Sequence, residues 1–234
     1  MSDPILATDS LDAFYGDFQA LFGVSIELVA GEVVAVIGAN GAGKSTLMRA
    51  ITGLVPCRPG MVRYNAQSIG GLSADRIAFL GIAMVPEGRQ LFPSLSVEEN
   101  LLIGGQMGRP GPWSLATVYA LFPVLEERRH MPSTALSGGQ QQMVAIGRAL
   151  MANPDVILFD ELSLGLAPII IKSIYEALPK VIGEGTSAIV VEQDITKAIA
   201  VSDRVYCLQE GRISLEAASA DVSRDAISKA YFGV

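Results

Sequence analysis

The stretch that decides the fold is Gly38-Ala39-Asn40-Gly41-Ala42-Gly43-Lys44-Ser45-Thr46. It fits the pattern G-x-x-x-x-G-K-[ST], in which glycines let backbone N–H groups turn inward around phosphate oxygens. The preceding run, Val33–Ile37, is wholly apolar and mostly β-branched, which predicts a strand buried on both faces. Lys44–Ile51 then has helical composition and is followed by Gly53. Because the pattern requires this order of strand, loop and helix, we expect a phosphate-binding loop rather than a turn that binds nothing.

The motif gives its residues separate tasks. Lys44 can bridge the β- and γ-phosphates of a nucleotide, and the hydroxyl of Ser45 can ligate Mg²⁺. A nucleoside triphosphate with Mg²⁺ is therefore the expected ligand. The residues predicted to bind it in this loop are Gly38, Asn40, Gly41, Gly43, Lys44, Ser45 and Thr46.

An acidic pair ends a second apolar run, Val156-Ile-Leu-Phe-Asp160-Glu161. A phosphate loop of this kind works with an acidic residue that ends a buried strand and lies near the metal ion. We expect Asp160 to bind Mg²⁺ through water and Glu161 to polarise the attacking water as general base. On its own, Asp-Glu would be a solvated strand end; its combination with the phosphate loop favours the site.

Outside these motifs the chain has the pattern of an α/β core. Residues 4–30 alternate apolar and polar positions around Tyr15-Gly16-Asp17, which predicts a small antiparallel sheet. Residues 156–159 and 188–191 are further runs typical of buried strands, and each is joined to helical sequence.

A helical insertion is expected within this core. Ser96-x-x-Glu99 is a capping box that starts one helix, and Gly104-Gly105 is expected to stop it. A second helix is predicted over 115–122, ended by Pro123. We therefore predict a single domain, 1–234, with an insertion at about 88–150.

Composition excludes several classes of protein. A chain of 234 residues, half of them hydrophobic, can bury one large core. No apolar run approaches the ~18 residues of a membrane span, and no basic region followed by an apolar one begins the chain, so we expect neither insertion nor secretion. The net charge of −7 without a Lys/Arg block argues against nucleic acid as a partner.

The metal-binding and redox residues are few. His130 is the only histidine, which excludes a site of several histidines. Cys57 and Cys207 lie far apart without a metal-ligand or redox spacing, as expected for incidental thiols in a reducing cytosol.

The segment Leu136-Ser-Gly-Gly-Gln-Gln141 allows two interpretations. Ser137 and Gln140 form a capping box, an ordinary helix start. Alternatively, the hydroxyl of Ser137 and the bare amides of Gly138 and Gly139 form an anion site at a helix N-terminus. The segment by itself favours the capping box.

The order of motifs distinguishes a family. The phosphate loop, the Glu87 loop, the Ser137 segment, Asp160-Glu161 and then Gln193 follow one another. In this order the chain resembles the ATP-binding subunits of ATP-binding-cassette transporters over almost its whole length. The resemblance implies an α/β P-loop nucleotide hydrolase core with an N-terminal antiparallel β subdomain and a helical insertion.

The resemblance also implies roles for further residues. Tyr15 would stack on the adenine of ATP, with a plain hairpin tyrosine as the alternative. Glu87 would reach toward Mg²⁺, and Gln193 would contact the γ-phosphate as part of the catalytic site with Glu161. The Ser137 segment would cap the γ-phosphate bound by a second subunit in a head-to-tail dimer, through Ser137, Gly138, Gly139 and Gln140.

Departures from the family pattern narrow the subfamily. Glu87 stands where most cassettes have glutamine, and Gln193 where they have histidine, so a mechanism that needs a protonatable residue there is in doubt. Leu162 replaces a usual proline and Ala167 a usual aspartate. The combination resembles the ATPases of branched-chain amino-acid uptake systems and of their relatives for urea, amides and aromatic acids.

The implied function is ATP hydrolysis by a peripheral subunit at the cytoplasmic face of the cell membrane. The implied partners are transmembrane permease subunits, a second ATPase subunit, identical or paralogous, and indirectly a solute-binding protein. The alternatives are a soluble cassette ATPase of DNA repair or translation, which usually has coiled-coil insertions, tandem cassettes or basic surfaces, and a regulator that binds ATP without hydrolysis, which Asp160 and Glu161 disfavour.

One loop is a candidate for the permease contact. Leu91, Phe92 and Leu95 lie together between the α/β core and the insertion. They either pack inward or help to form a groove for a short cytoplasmic helix of the permease.

Overall fold

A computed structural model describes residues 3–232 of the chain. Its strands are β1 (Leu6–Tyr15), β2 (Phe18–Leu28), β3 (Val33–Ile37), β4 (Val62–Tyr64), β5 (Gln67–Ser68), β6 (Ile82–Val85), β7 (Val156–Asp160), β8 (Ser187–Glu192), β9 (Arg204–Gln209) and β10 (Arg212–Ala218). Its helices are α1 (Lys44–Ile51), α2 (Ala74–Leu80), α3 (Val97–Gly104), α4 (Leu115–Leu121), α5 (Pro123–Glu127), α6 (Gly138–Leu150), α7 (Pro168–Gly183), α8 (Ile195–Val201) and α9 (Arg224–Phe232). Within these residues, no helix combines the length and the apolar composition needed to cross a bilayer.

The central sheet brings the predicted motifs together. Its strands lie in the order β10-β9-β3-β8-β7-β6, and all except β10 run parallel. Every residue of β3, β7 and β8 is buried, as expected where both faces of a parallel sheet are covered. The three buried strands predicted from the sequence are confirmed. Because their carboxyl ends meet at one edge, the phosphate loop, Glu161 and Gln193 leave the sheet side by side.

A smaller sheet fixes the N-terminal hairpin beside the phosphate loop. β1 and β2 form the antiparallel pair predicted for residues 4–30, and β4 and β5 extend it in the order β2-β1-β4-β5. Leu11 and Leu21 of the hairpin are fully buried in one core with Leu47 and Met48 of α1. Because α1 begins at the phosphate loop, this shared core holds the hairpin turn next to it.

The chain between β6 and β7 contains α3, α4, α5 and α6. The predicted capping box is present: Glu99 N–H donates to Ser96 Oγ at 3.2 Å, and Ser96 N–H donates to the Glu99 carboxylate at 2.8 Å. The helix predicted over 115–122 ends at Leu121, and Pro123 begins α5 as well as ending α4. Proline is suited to a first helical position because the N–H that it lacks has no partner there.

Glycines let α3 and α6 approach closely. α3 ends at Gly104, as the Gly104-Gly105 pair predicts. A Cβ on Gly104 would overlap the carbonyl oxygen of Arg148, and a Cβ on Gly147 would lie 2.7 Å from Leu101 Cδ2. The two helix backbones can therefore meet only where side chains are absent.

Gly104→Ala should lower the free energy of unfolding by about 1–3 kcal/mol, the usual cost of overpacking. The added methyl group would meet backbone, which cannot move aside as a side chain can. Gly183→Ala is the matched control, since Gly183 lies in α7 and a Cβ there meets nothing within 4 Å. The control should be neutral or slightly stabilising through helix propensity. Urea unfolding of both variants measures the difference, and equal stability would contradict this helix contact.

Candidate functional site

The phosphate loop closes around the ammonium group of its own lysine. Lys44 Nζ donates to the carbonyl oxygens of Gly38 at 2.8 Å and of Ala39 at 3.0 Å. Gly41 and Gly43 adopt left-handed φ angles of 81° and 105°, which residues with a Cβ rarely adopt. The glycines of the motif are therefore required by the backbone path that surrounds the lysine.

Ser45 and Asp160 meet at the base of the loop. Ser45 Oγ donates to Asp160 Oδ1 at 3.1 Å, and Asp160 is 2% exposed. The hydroxyl and the carboxylate are hard oxygen donors of the kind that Mg²⁺ prefers. Mg²⁺ in nucleotide sites is usually held by one or two protein oxygens together with phosphates and water, and this pair fits that arrangement.

Glu161 and Gln193 form a second polar pair above the sheet edge. Gln193 Nε2 donates to Glu161 Oε1 at 2.8 Å. Glu161 has a left-handed φ of 56°, and its N–H donates to the carbonyl oxygen of Val191 on the neighbouring strand at 3.1 Å. Such a backbone conformation costs energy in a residue other than glycine and is concentrated at functional sites.

The charges of the site influence one another. Burial lowers the pKa of Lys44, and the carboxylates of Glu161, Asp160 and Glu87 oppose this effect in part. Burial raises the pKa of Asp160, against the hydrogen bond from Ser45, and the charges of Glu161 and Glu87 raise it further. Each charged group is thus partly deprived of water, a state that a bound phosphate or cation would relieve.

Lys44, Glu87 and Glu161 face one cavity of about 810 Å³. The predicted site residues that line it are Tyr15, Asn40, Gly41, Gly43, Lys44, Ser45, Thr46, Glu87, Glu161 and Gln193. Two more predicted residues lie behind this lining. The carbonyl oxygen of Gly38 accepts a hydrogen bond from Lys44, and the carboxylate of Asp160 accepts one from Ser45. The cavity is of a size typical of small-molecule sites.

The hairpin contributes aromatic residues at the mouth of the cavity. Tyr15 is 43% exposed, and its hydroxyl lies 3.5 Å from Thr46 Oγ1. Sequence analysis missed other lining residues, namely Phe18, Gln19, Ala20, Phe22, Leu164, Glu210, Gly211 and Arg212. Phe18 could have been recognised, because it follows the same turn as Tyr15. Gln19, Ala20 and Phe22 lie on β2 of the same hairpin, and the remaining residues come from distant segments that give no local signal.

The Ser137 segment is a capped helix start outside this cavity. Gln140 N–H donates to Ser137 Oγ at 3.3 Å, and Ser137 N–H donates to Gln140 Oε1 at 3.0 Å, which confirms the capping box. A Cβ on Gly139 would lie 2.5 Å from Ile170 Cγ2. Neither Ser137, Gly138, Gly139 nor Gln140 lines the cavity of its own chain.

Two arginines connect the Glu87 loop to α6, a contact that the sequence did not predict. Arg89 Nη1 donates to Gln141 Oε1 at 3.2 Å. Arg148 donates to the carbonyl oxygens of Gln90 at 2.8 Å and Arg89 at 3.1 Å. The loop that carries Glu87 and the helix that begins at the Ser137 segment are therefore held as one unit.

Comparison with known proteins identifies the family. The sequence profile described as ABC transporter matches residues 21–163. The chain belongs to the ABC transporter family. It is 43% identical, over 98% of this chain and 100% of the relative, to BraG of Pseudomonas aeruginosa, a high-affinity branched-chain amino acid transport ATP-binding protein. It is 33% identical, over 90% of both chains, to LivF of Archaeoglobus fulgidus, a probable branched-chain amino acid transport ATP-binding protein.

Solved structures of this family share the fold. A nucleotide-free ATP-binding cassette from an ABC transporter superposes with a TM-score of 0.80 at 30% identity, covering 97% of this chain and 94% of the other. A dimeric cassette in a post-hydrolysis state with ADP and Pi gives a TM-score of 0.81 at 27% identity, covering 92% and 98%. The expected P-loop nucleotide hydrolase fold is confirmed.

Tyr15 provides a test of nucleotide binding at the cavity mouth. If its ring stacks on adenine, Tyr15→Ala should weaken ATP binding by about 1–3 kcal/mol, the loss typical of one aromatic stack on a base. Tyr15→Phe keeps the ring, loses only the hydroxyl, and should bind nearly as well as the wild type. Titration with a fluorescent ATP analogue measures both variants. Equal affinities for the two would limit Tyr15 to a hairpin role.

Proposed function

We propose that this chain is the ATP-hydrolysing subunit of a membrane importer for branched-chain amino acids or related solutes, acting at the cytoplasmic face. The observation that carries the ATPase assignment is the single cavity at which Lys44, the Ser45–Asp160 pair and the Glu161–Gln193 pair converge. The full-length similarity to BraG supports the solute class. Solute contacts would belong to the permease and a solute-binding protein, so no residue here is assigned to them.

Each polar group has one task in this proposal. Lys44 and the phosphate loop bind the terminal phosphates of ATP, while Ser45 and Asp160 hold Mg²⁺, which would offset the charge of the transferred phosphoryl group. Glu161 accepts the proton of the attacking water on Oε2, because Oε1 is engaged by Gln193. Gln193 orients this carboxylate through its amide, which neither gains nor loses charge near neutral pH.

Residues 137–140 act, in this proposal, on ATP bound by a second subunit. They lie outside the cavity of their own chain, and Ser137 is exposed. They begin α6, a helix of 13 residues whose N-terminal amides and dipole suit an anion. The dimeric arrangement of the related cassette with ADP and Pi supports two such subunits working together.

A groove beside the Glu87 loop suits the permease. It has a volume of about 290 Å³ and a largely apolar lining from α2, β6, α3, α6 and the segments that follow α1 and α3. Its residues include Leu54, Ile77, Ile103 and Met107. Leu54 is 60% exposed, so the apolar lining continues onto the surface. We assign this groove to the apolar face of a short cytoplasmic helix of the permease, a helix-in-groove contact.

The loop with Leu91, Phe92 and Leu95 places one exposed residue, Phe92, beside a residue that lines this groove. Phe92 is 45% exposed, and its ring centroid lies 5.5 Å from Cζ of Arg148, which lines the groove. Leu91 packs against the core of the helical segment, and Leu95 is half-buried, so the inward alternative holds for Leu91. The exposed ring therefore marks the part of this loop that can meet the permease.

Glu161→Gln tests the chemistry. It should lower the rate of ATP hydrolysis by about 10²–10⁴-fold, the usual loss when a well-placed general base is removed. ATP affinity should be retained, since the phosphate loop is unchanged. Phosphate release by the purified chain and titration with a fluorescent ATP analogue measure the two quantities. Near-normal hydrolysis would assign the base elsewhere.

Phe92→Asp tests the permease contact. It should preserve basal ATP hydrolysis, because Phe92 does not line the ATP cavity and its hydrogen bonds to Asn100 and Ser133 are made by the backbone, which the substitution retains. Recovery of the chain with membranes and uptake of labelled leucine should both fall, since a carboxylate would have to be buried in an apolar contact. Ser94→Asp, which adds the same charge to an exposed position of the same loop, is the control. Unchanged recruitment and uptake in Phe92→Asp would remove the groove from the proposal.

A further inference from the structure

A second polar contact joins the ends of β7 and β8 beside the Glu161–Gln193 pair. Glu192, the last residue of β8, is 2% exposed. Its Oε2 accepts a hydrogen bond from Ser163 Oγ at 2.8 Å. Its Oε1 accepts from Ser163 N–H at 3.2 Å and from the hydroxyl of Tyr175 on α7. Glu192, Ser163 and Tyr175 are called here the anchor cluster.

The anchor cluster is a costly way to gain stability. A buried carboxylate must recover its lost hydration through hydrogen bonds, and the described donors to Glu192 are neutral amide and hydroxyl groups. Apolar residues of similar volume often stabilise a core at least as well as buried charge. Burial and the charge of Glu192 both raise the pKa of Tyr175, so its phenol stays protonated as a donor. The unfavourable burial of this carboxylate therefore indicates that the position of the residues bonded to it must be fixed.

The geometry in question is that of the loop that begins at Glu161. Glu161 and Gly165 both have left-handed φ angles, 56° and 68°, so the chain turns away sharply at the end of β7. Gln193 holds the side chain of Glu161, and Glu192 holds the backbone and hydroxyl of Ser163 two residues later. Two adjacent residues, one at the end of β8 and one directly after it, thus fix two points of one strained turn.

We propose that Glu192 is a positioning residue for ATP hydrolysis. By fixing Ser163, it sets the turn at residues 161–165 so that the Glu161 carboxylate stays against Gln193 and faces the cavity. Glu192 does not touch the nucleotide in this proposal and acts only through Glu161. The inference rests on the proposed ATPase function and names a further residue on which its rate depends.

Glu192→Gln in the full-length chain tests this inference. The substitution keeps the size of the side chain but replaces Oε2, which accepts from Ser163 Oγ, with an amide nitrogen that can only donate. We expect kcat to fall by about 10- to 100-fold, because a shift of 1 Å in a reacting group can cost about 100-fold. The KM for ATP and the affinity for a fluorescent ATP analogue should change little, since the phosphate loop is untouched.

Milder variants separate positioning from stability. Ser163→Ala should lower kcat in the same way as Glu192→Gln. Ser163→Thr keeps the hydroxyl and should have a kcat close to that of the wild type. Tyr175→Phe should lower kcat less than Ser163→Ala does. The double variant Ser163→Ala with Glu192→Gln should be no slower than Glu192→Gln alone, because the two substitutions break the same contact. Glu176→Gln is the control, an exposed carboxylate one residue from Tyr175 on α7, and should leave kcat unchanged. Melting temperatures are measured for every variant.

The outcomes distinguish the inference from the function on which it rests. Normal kcat in folded Glu192→Gln, while Glu161→Gln is inactive, would overturn the positioning role and leave the ATPase proposal intact. A lower melting temperature of Glu192→Gln, together with an unchanged kcat in Ser163→Ala, would also overturn it. That result would limit Glu192 to a structural role. Absence of hydrolysis by the wild type, or full hydrolysis by Glu161→Gln, would overturn the proposed function and the inference with it.

Discussion

The parallel pairing of β3, β7 and β8 is the constraint on which the rest of the structure depends. Its register places Val36 opposite Val191 and Asp160 opposite the same residue on its other side. Each strand therefore ends at the same level, and whatever follows it enters one shared space. The phosphate loop lies more than a hundred residues before Glu161, and Gln193 follows Glu161 by 32 residues, yet hydrogen bonding of three buried strands makes them neighbours.

The helical segment extends this arrangement away from the sheet. Arg148 fixes the backbone of the Glu87 loop, and Arg89 of that loop bonds to Gln141 on α6. Gly139, at the start of α6, packs against Ile170 of α7, the helix that also carries Tyr175. Residues beside the cavity are thus connected through packed helices to residues 137–140, which are proposed to act on ATP bound by a second subunit. A movement at one of these places would therefore displace the other.

The site holds its charges in a partly desolvated state. Burial lowers the pKa of Lys44 and raises that of Asp160, which means that neither charged form is well solvated by the protein alone. Phosphate oxygens near Lys44 and a cation near Asp160 would supply the missing partners. Holding these charges in place before the ligand binds lowers the stability of the fold. Such prearranged charges suit a site that must stabilise a highly charged ligand.

The sequence by itself determined the phosphate loop, the strands β3, β7 and β8, the N-terminal hairpin and the caps at Ser96 and Ser137, because each is specified by neighbouring residues. The alternation of β10 carries a comparable signal, whereas the short edge strand β6 gives almost none. Only the tertiary structure decided that Arg148 holds the Glu87 loop and that Glu192 holds Ser163. Those contacts join residues 59 and 29 positions apart, and no local pattern encodes them because only the folding of the sheet and helices brings the residues together.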